Sequence, residues 1–130
     1  MKNKVFYLNN EKTALLKAYL LDKVESIPFG NARPAILIFP GGGYTFCSER
    51  EAEPIAMRYL AEGYNAFILY YSCNRKFPAS IINAAYAMYK IRARAEEFNI
   101  DPDKIAVWGA SAGGHLAGCL AHSINDRYPS

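Results

Sequence analysis

The chain has 130 residues, which allows one domain at most, 1–130. Hydrophobic residues make up 52%, enough to bury a core, and 15 basic against 12 acidic residues give a net charge of +3 with no basic cluster. That balance carries no signature of nucleic-acid binding or of a membrane surface.

The predicted elements alternate between strand and helix. Residues 5–8 read as a first strand and 13–21 as a second, although the Ala, Leu and Lys there would also suit a helix. Ser26, Pro28, Gly30 and Asn31 mark a turn region. Residues 34–39 form a near-continuous apolar run, as in a strand covered on both faces. A glycine triplet, Gly41-Gly42-Gly43, follows at once. Ser48 and Glu51 have capping-box spacing. Pro54 is best placed in a first helical turn, so the regular helix is expected to start nearer Glu53. Ala52, Ile55, Ala56, Tyr59 and Leu60 share one helical face, and Gly63 is placed to stop the helix.

Residues 65–71 are a second apolar strand, rich in aromatics. Pro78 then opens a long helix. Ile81, Ala84, Ala85, Met88, Ile91, Ala95 and Phe98 form its buried stripe, while Lys90, Arg94, Glu96 and Glu97 fall largely outside it. Asp101-Pro102-Asp103 turns the chain into another apolar strand, 105–108. Gly109-Ala110-Ser111-Ala112-Gly113 comes next, and a helix to about Ser123. This alternation predicts an α/β fold: a mostly parallel sheet covered by helices on both faces.

The stretch 109–113 is G-x-S-x-G between a strand and a helix, the setting of a nucleophile elbow. Ser111 sits at the apex of the reversal, and glycine suits positions 109 and 113 because a side chain would collide with the turn. The first N–H groups of the new helix point at the space beside the hydroxyl, where a developing oxyanion is favoured.

On two stretches the sequence resembles the α/β-hydrolase family of carboxylesterases, in its acetyl-xylan-esterase-like and hormone-sensitive-lipase-like branch. One stretch runs from Asp101-Pro102-Asp103 into Gly109-Ala110-Ser111-Ala112-Gly113-Gly114-His115. The other is Pro40-Gly41-Gly42-Gly43-Tyr44, similar to the family's HGGG-type loop with Pro40 where many members have histidine. The resemblance runs from about Lys12 to the end and covers the first half of such an enzyme.

That resemblance implies a serine carboxylesterase acting on small acyl groups of acetyl type, possibly on carbohydrates, through an acyl-enzyme on Ser111 and with no cofactor. Gly42, Gly43 and the N–H of Ala112 would form the oxyanion hole. One such donor is worth about 2.7–4 kcal/mol at the transition state. Tyr44 would line the acyl pocket or stand as a plain surface aromatic. In the family the acid and the histidine follow the serine, from loops after later strands. His115, His122 and Asp126 do not fit those places, and His115 reads instead as a packing residue beneath the elbow. The chain thus reads as an incomplete fold that ends after the elbow helix. The edge of strand 105–108 would be left for a missing C-terminal half or a second copy to cover. A non-catalytic module and an amidase or peptidase of the same fold stay open.

Other chemistry finds little support. Neither glycine cluster is followed by Lys and Ser/Thr, as a phosphate loop requires. No His, Cys or carboxylate group has metal-ligand spacing. Cys47, close to the glycine loop, is either a reactive thiol or an inert small residue. Cys47, Cys73 and Cys119 lack C-x-x-C spacing and cannot all pair, which points to a reduced, cytoplasmic setting. Met1-Lys2-Asn3-Lys4 leads into only a short apolar patch, so a signal peptide and a membrane span are not expected.

Overall fold

The computed structural model describes residues 1–9, 12–22, 32–42, 47–73 and 79–127, with 121–127 described by their backbone only. Five strands are present: β1 (Lys2–Tyr7), β2 (Leu15–Leu20), β3 (Arg33–Phe39), β4 (Asn65–Tyr70) and β5 (Ile100–Gly109). The helices are α1 (Glu53–Ala61), α2 (Ala79–Ala93), α3 (Ala95–Phe98) and α4 (Ala112–Arg127), with a single 3-10 turn at Glu49–Glu51 ahead of α1. The strands lie in the order β1-β2-β4-β3-β5.

The sheet is mixed. β1 pairs with β2 and β2 with β4 in antiparallel fashion, whereas β3 runs parallel to both β4 and β5. β3 is therefore the central strand of the parallel part, and β5 pairs with β3 rather than with β4, the strand just before it in sequence. Among the described residues β5 has no partner on its outer side, and Ala106 and Val107 are exposed there.

Alternation along β3 and β4 builds two apolar layers. Ile36, Ile38, Ala66 and Ile68 face α1 and meet Ala52, Ala56 and Leu60. Ala35, Leu37, Phe39, Phe67, Leu69 and Tyr71 face the other way and meet α2, α3 and α4. Both faces of these strands are thus dry, which is why their sequences read as continuous apolar runs. The segment 13–21, ambiguous by composition, forms a strand over the shorter span Leu15–Leu20, because those residues find hydrogen-bonding partners on both sides.

The structure corrects several local expectations. Ser48 makes no side-chain cap, so the capping box does not form. Pro54 does lie in the first turn of α1, and Gly63 ends that helix with φ +95. The long helix expected after Pro78 is broken at Arg94, whose ψ of 24 interrupts it between α2 and α3. Ala85 is exposed, and Asn83 and Ala87 take its place in the buried stripe. Asn83 can lie inside because its carboxamide oxygen accepts the Ser72 N–H at 2.8 Å. Asp101-Pro102-Asp103 does not separate α3 from the strand. It is an irregularity within β5, where the register jumps between the Arg33–Ile100 and Ala35–Ile105 pairs, and the Asp103 N–H bonds to the Asp101 carboxylate at 2.9 Å. α4 continues beyond Ser123 to Arg127. The turn region at 26–31 lies outside the described residues, as does Pro78.

Candidate active site where β3 and β5 end

β5 ends at Gly109 and α4 begins at Ala112, so Ala110 and Ser111 must reverse the chain between them. Ser111 has φ +53, a left-handed conformation uncommon for a residue with a side chain. Its strain, of order 1–2 kcal/mol, is held by the surrounding backbone. The Gly113 N–H donates to the Ala110 carbonyl at 2.9 Å, and the His115 N–H donates to the Ser111 carbonyl at 3.0 Å. The outcome is an exposed hydroxyl at the head of a helix whose second residue, Gly113, is buried.

The glycines are required by close approach. A Cβ on Gly113 would run into the carbonyl of Phe39, the last residue of β3, and one on Gly109 would meet the Gly113 backbone. Backbone thus packs directly on backbone where β3, β5 and α4 converge.

The glycine loop crosses the same spot. A Cβ on Gly41 would sit 2.6 Å from the Ala110 carbonyl oxygen and 3.2 Å from Ser111 Cβ. Gly41 therefore lies directly against the elbow, and Gly42 follows it with φ +145, a conformation suited to glycine. The structure thus brings together Ser111, Ala112 and the start of the triplet. Gly43 and Tyr44 lie outside the described residues. Ala112, buried, is the first residue of α4, where helix geometry leaves N–H groups without an intrahelical acceptor.

Two contacts anchor the start of the loop. The Tyr71 hydroxyl donates to the Pro40 carbonyl, and the Ser48 N–H donates to the Gly41 carbonyl at 2.8 Å. Tyr71 is fully buried at the end of β4 and so acts as a fixed post. Sequence reasoning did not find this brace. Tyr71 reads there only as one more aromatic in an apolar run, and its partner is 31 residues away.

Glu51 is also close, with one carboxylate oxygen 3.2 Å from where a Gly41 Cβ would stand. Its neighbours are engaged elsewhere: Glu53 accepts from the Tyr19 hydroxyl at 2.8 Å and Glu49 from the Tyr70 hydroxyl at 3.4 Å. Burial, then the nearby Glu49 carboxylate, pushes the Tyr70 phenol up to about 12.

His115 does not pack beneath the elbow. It is exposed on α4, and its Nε2 is 3.7 Å from the sulfur of Cys119 one turn on. The side chains of His122 and Asp126 lie outside the described part of α4. Among the described residues there is no cluster of three or more His, Cys, Asp or Glu side chains able to hold a metal ion, and no helix is long and apolar enough to cross a membrane.

Comparison with known proteins places the chain in a family and a fold. The family model BD-FAE matches residues 26–128. The chain is 38% identical over 101 residues to an endo-1,4-beta-xylanase B of Butyrivibrio fibrisolvens, a match that covers 72% of the chain and 16% of that protein. It is 33% identical to the esterase LipQ of Mycobacterium tuberculosis, over 75% of the chain and 24% of that protein. Among solved structures, the α/β-hydrolase MGS-M1 from a deep-sea metagenome library superposes with a TM-score of 0.90 at 49% identity, over 93% of the chain and 51% of that enzyme. The chain spans about a quarter or less of these curated relatives and about half of that solved structure.

Proposed function

From the premise that this chain belongs to the BD-FAE family and has the α/β-hydrolase fold, we propose that the protein is a serine carboxylesterase. Ser111 is the nucleophile, acylated by the substrate and then released by water. Gly42, Gly43 and Ala112 supply N–H groups to the oxyanion of the tetrahedral intermediate. The observation that carries this reading is the exposed Ser111, held at φ +53 with Gly41 of the glycine loop against it. In this reading the hydroxyl meets the acyl carbon of the substrate, and N–H groups of the loop and of the start of α4 receive the oxyanion.

A serine hydroxyl needs a base to take its proton. In this reading the histidine and its acid come from a part of the protein beyond residue 130, in keeping with relatives much longer than the chain. The outer edge of β5 is where a further strand of such a protein, or of a second copy, would add.

The substrates are small acyl esters of acetyl type carried on carbohydrate, with Tyr44 lining the acyl pocket. An acetylxylan esterase of Xylanibacter ruminicola, 28% identical over 99 residues, and an acetyl ester-xyloside bifunctional hydrolase from Caldicellulosiruptor lactoaceticus, 39% identical, support this class. The reaction needs no cofactor, and a cytoplasmic setting fits the unpaired cysteines.

The test uses the full-length protein. A fluorophosphonate should label Ser111 covalently, and p-nitrophenyl acetate should be hydrolysed. Ser111→Ala should abolish labelling and lower kcat by roughly 10⁶-fold, as loss of a serine nucleophile does elsewhere. Labelling that persists in the variant, or an unlabelled wild type, would reject the assignment.

A further inference from the structure

The two ends of the glycine loop touch the same short segment. At its start, the Pro40 carbonyl accepts the Tyr71 hydroxyl. At its end, the Cys47 sulfur lies 3.8 Å from the Cys73 sulfur. Both thiols also direct toward the Tyr71 carbonyl, at 3.8 Å from Cys47 and 3.4 Å from Cys73. The segment 71–73 is itself fixed, because the Ser72 N–H bonds to Asn83 at 2.8 Å and the Ser72 hydroxyl lies 3.0 Å from that of Thr13.

We infer that Cys47 and Cys73 are a redox-active dithiol that a hydroperoxide closes to a disulfide, fastening the end of the glycine loop to the segment that already holds its start. Both cysteines are free and half-buried, reachable by a small oxidant. Their sulfurs are in non-bonded contact, and a disulfide needs about 2.05 Å. Closing that gap requires the two side chains to rotate toward each other, and both cysteines lie outside the strands and helices, just beyond the glycine loop and β4. Cys119, on α4 beside His115, has a different neighbourhood and serves as an internal control.

The chemistry assigns unequal roles. Burial and then the neighbouring Cys73 push the Cys47 thiol up to about 12. Burial also raises Cys73, but the hydrogen bond from Cys47 opposes that rise. Both shifts hold back ionisation, and Cys73, where a hydrogen bond opposes the effect of burial, is the one that ionises and attacks in this proposal. Its sulfur bonds to one oxygen of the hydroperoxide, the O–O bond breaks, and the departing oxygen leaves as an alcohol, or as water from hydrogen peroxide. Cys47 then attacks the resulting sulfenic acid, the S–S bond forms, the S–O bond breaks and water leaves. Two thiols are oxidised by two electrons and one hydroperoxide is reduced.

The proposal is independent of whether Ser111 is acylated, so its test reads thiols and backbone rather than turnover. The full-length protein is treated with hydrogen peroxide, alkylated with a maleimide and digested without reductant. We expect a Cys47–Cys73 crosslinked peptide, reopened by dithiothreitol. Amide deuterium uptake at Gly41, Gly42 and Ser48 should fall on the order of threefold in the oxidised protein, as local opening is suppressed. Cys73→Ser should leave Cys47 open to the maleimide after peroxide, while Cys119→Ser should leave the crosslink intact. Both cysteines remaining alkylatable, a crosslink to Cys119, conversion of Cys73 to sulfinic acid without a crosslink, or unchanged uptake at Gly41, Gly42 and Ser48 would each overturn the inference.

Discussion

The elbow and the glycine loop meet at one point but are held there by different means. At the elbow, backbone bears on backbone: Gly113 against Phe39, Gly109 against Gly113, and local hydrogen bonds within 110–115. The loop is held by side chains and amides from elsewhere in the sequence, namely Tyr71, Ser48 and the contact between Cys47 and Cys73. A backbone-packed reversal tolerates almost no added atom, whereas a side-chain-braced loop can lose or gain a contact and shift. Under the proposed esterase reading this would divide the labour, with the nucleophile fixed and the oxyanion donors open to tuning.

Three substitutions sharpen the contrast. Gly113→Ala places a methyl group inside the Phe39 carbonyl, so β3 or α4 must move. We expect a loss of about 3 kcal/mol, the upper end of what overpacking costs, together with loss of fluorophosphonate labelling. Denaturant unfolding and labelling check it. An unchanged midpoint would mean that the backbone contact is not the fixed element described above.

Tyr71→Phe removes the brace from the Pro40 carbonyl and leaves the fold's backbone contacts in place. A buried carbonyl that loses its donor costs about 1–3 kcal/mol. Turnover should fall by roughly 10–100-fold, since small displacements of donors from the oxyanion are expensive. Steady-state kinetics should show the loss mainly in kcat. If KM alone rises, the loop's role is in binding substrate rather than in stabilising the transition state.

The smallest effect should come from Ser111→Gly, and in the opposite direction. Glycine relieves the left-handed strain at φ +53. Part of the gain is offset by glycine's greater freedom in the unfolded chain. A net gain of up to about 1 kcal/mol is expected in a thermal melt, with catalysis lost. A loss of stability instead would show that the serine side chain contributes more than its backbone costs.

Much of the elbow was legible because its signal is local. The order of an apolar run, small residues and a helical pattern lies within about a dozen positions, and the steric need for glycine at 109 and 113 follows from the turn itself. The loop showed only its glycines. Nothing local in Phe-Ile-Leu-Tyr-Tyr says that the second tyrosine will hold Pro40, and nothing in the spacing of Cys47 and Cys73 says that they will touch. The broken helix at Arg94, the unformed cap at Ser48 and the irregular Asp101–Pro102–Asp103 stretch within β5 were likewise hidden, because packing against neighbouring elements set them.

The sequence by itself determined the alternation of strands and helices, the dry faces of β3 and β4 and the position of the reversal at Ser111. Each is fixed by the spacing of apolar and small residues over a few turns of chain. Only the tertiary structure decided that β5 pairs with β3, that Gly41 rests on the elbow and that one segment after β4 touches both ends of the glycine loop. Those contacts join residues far apart in the chain, and their geometry depends on how the sheet and its covering helices pack together.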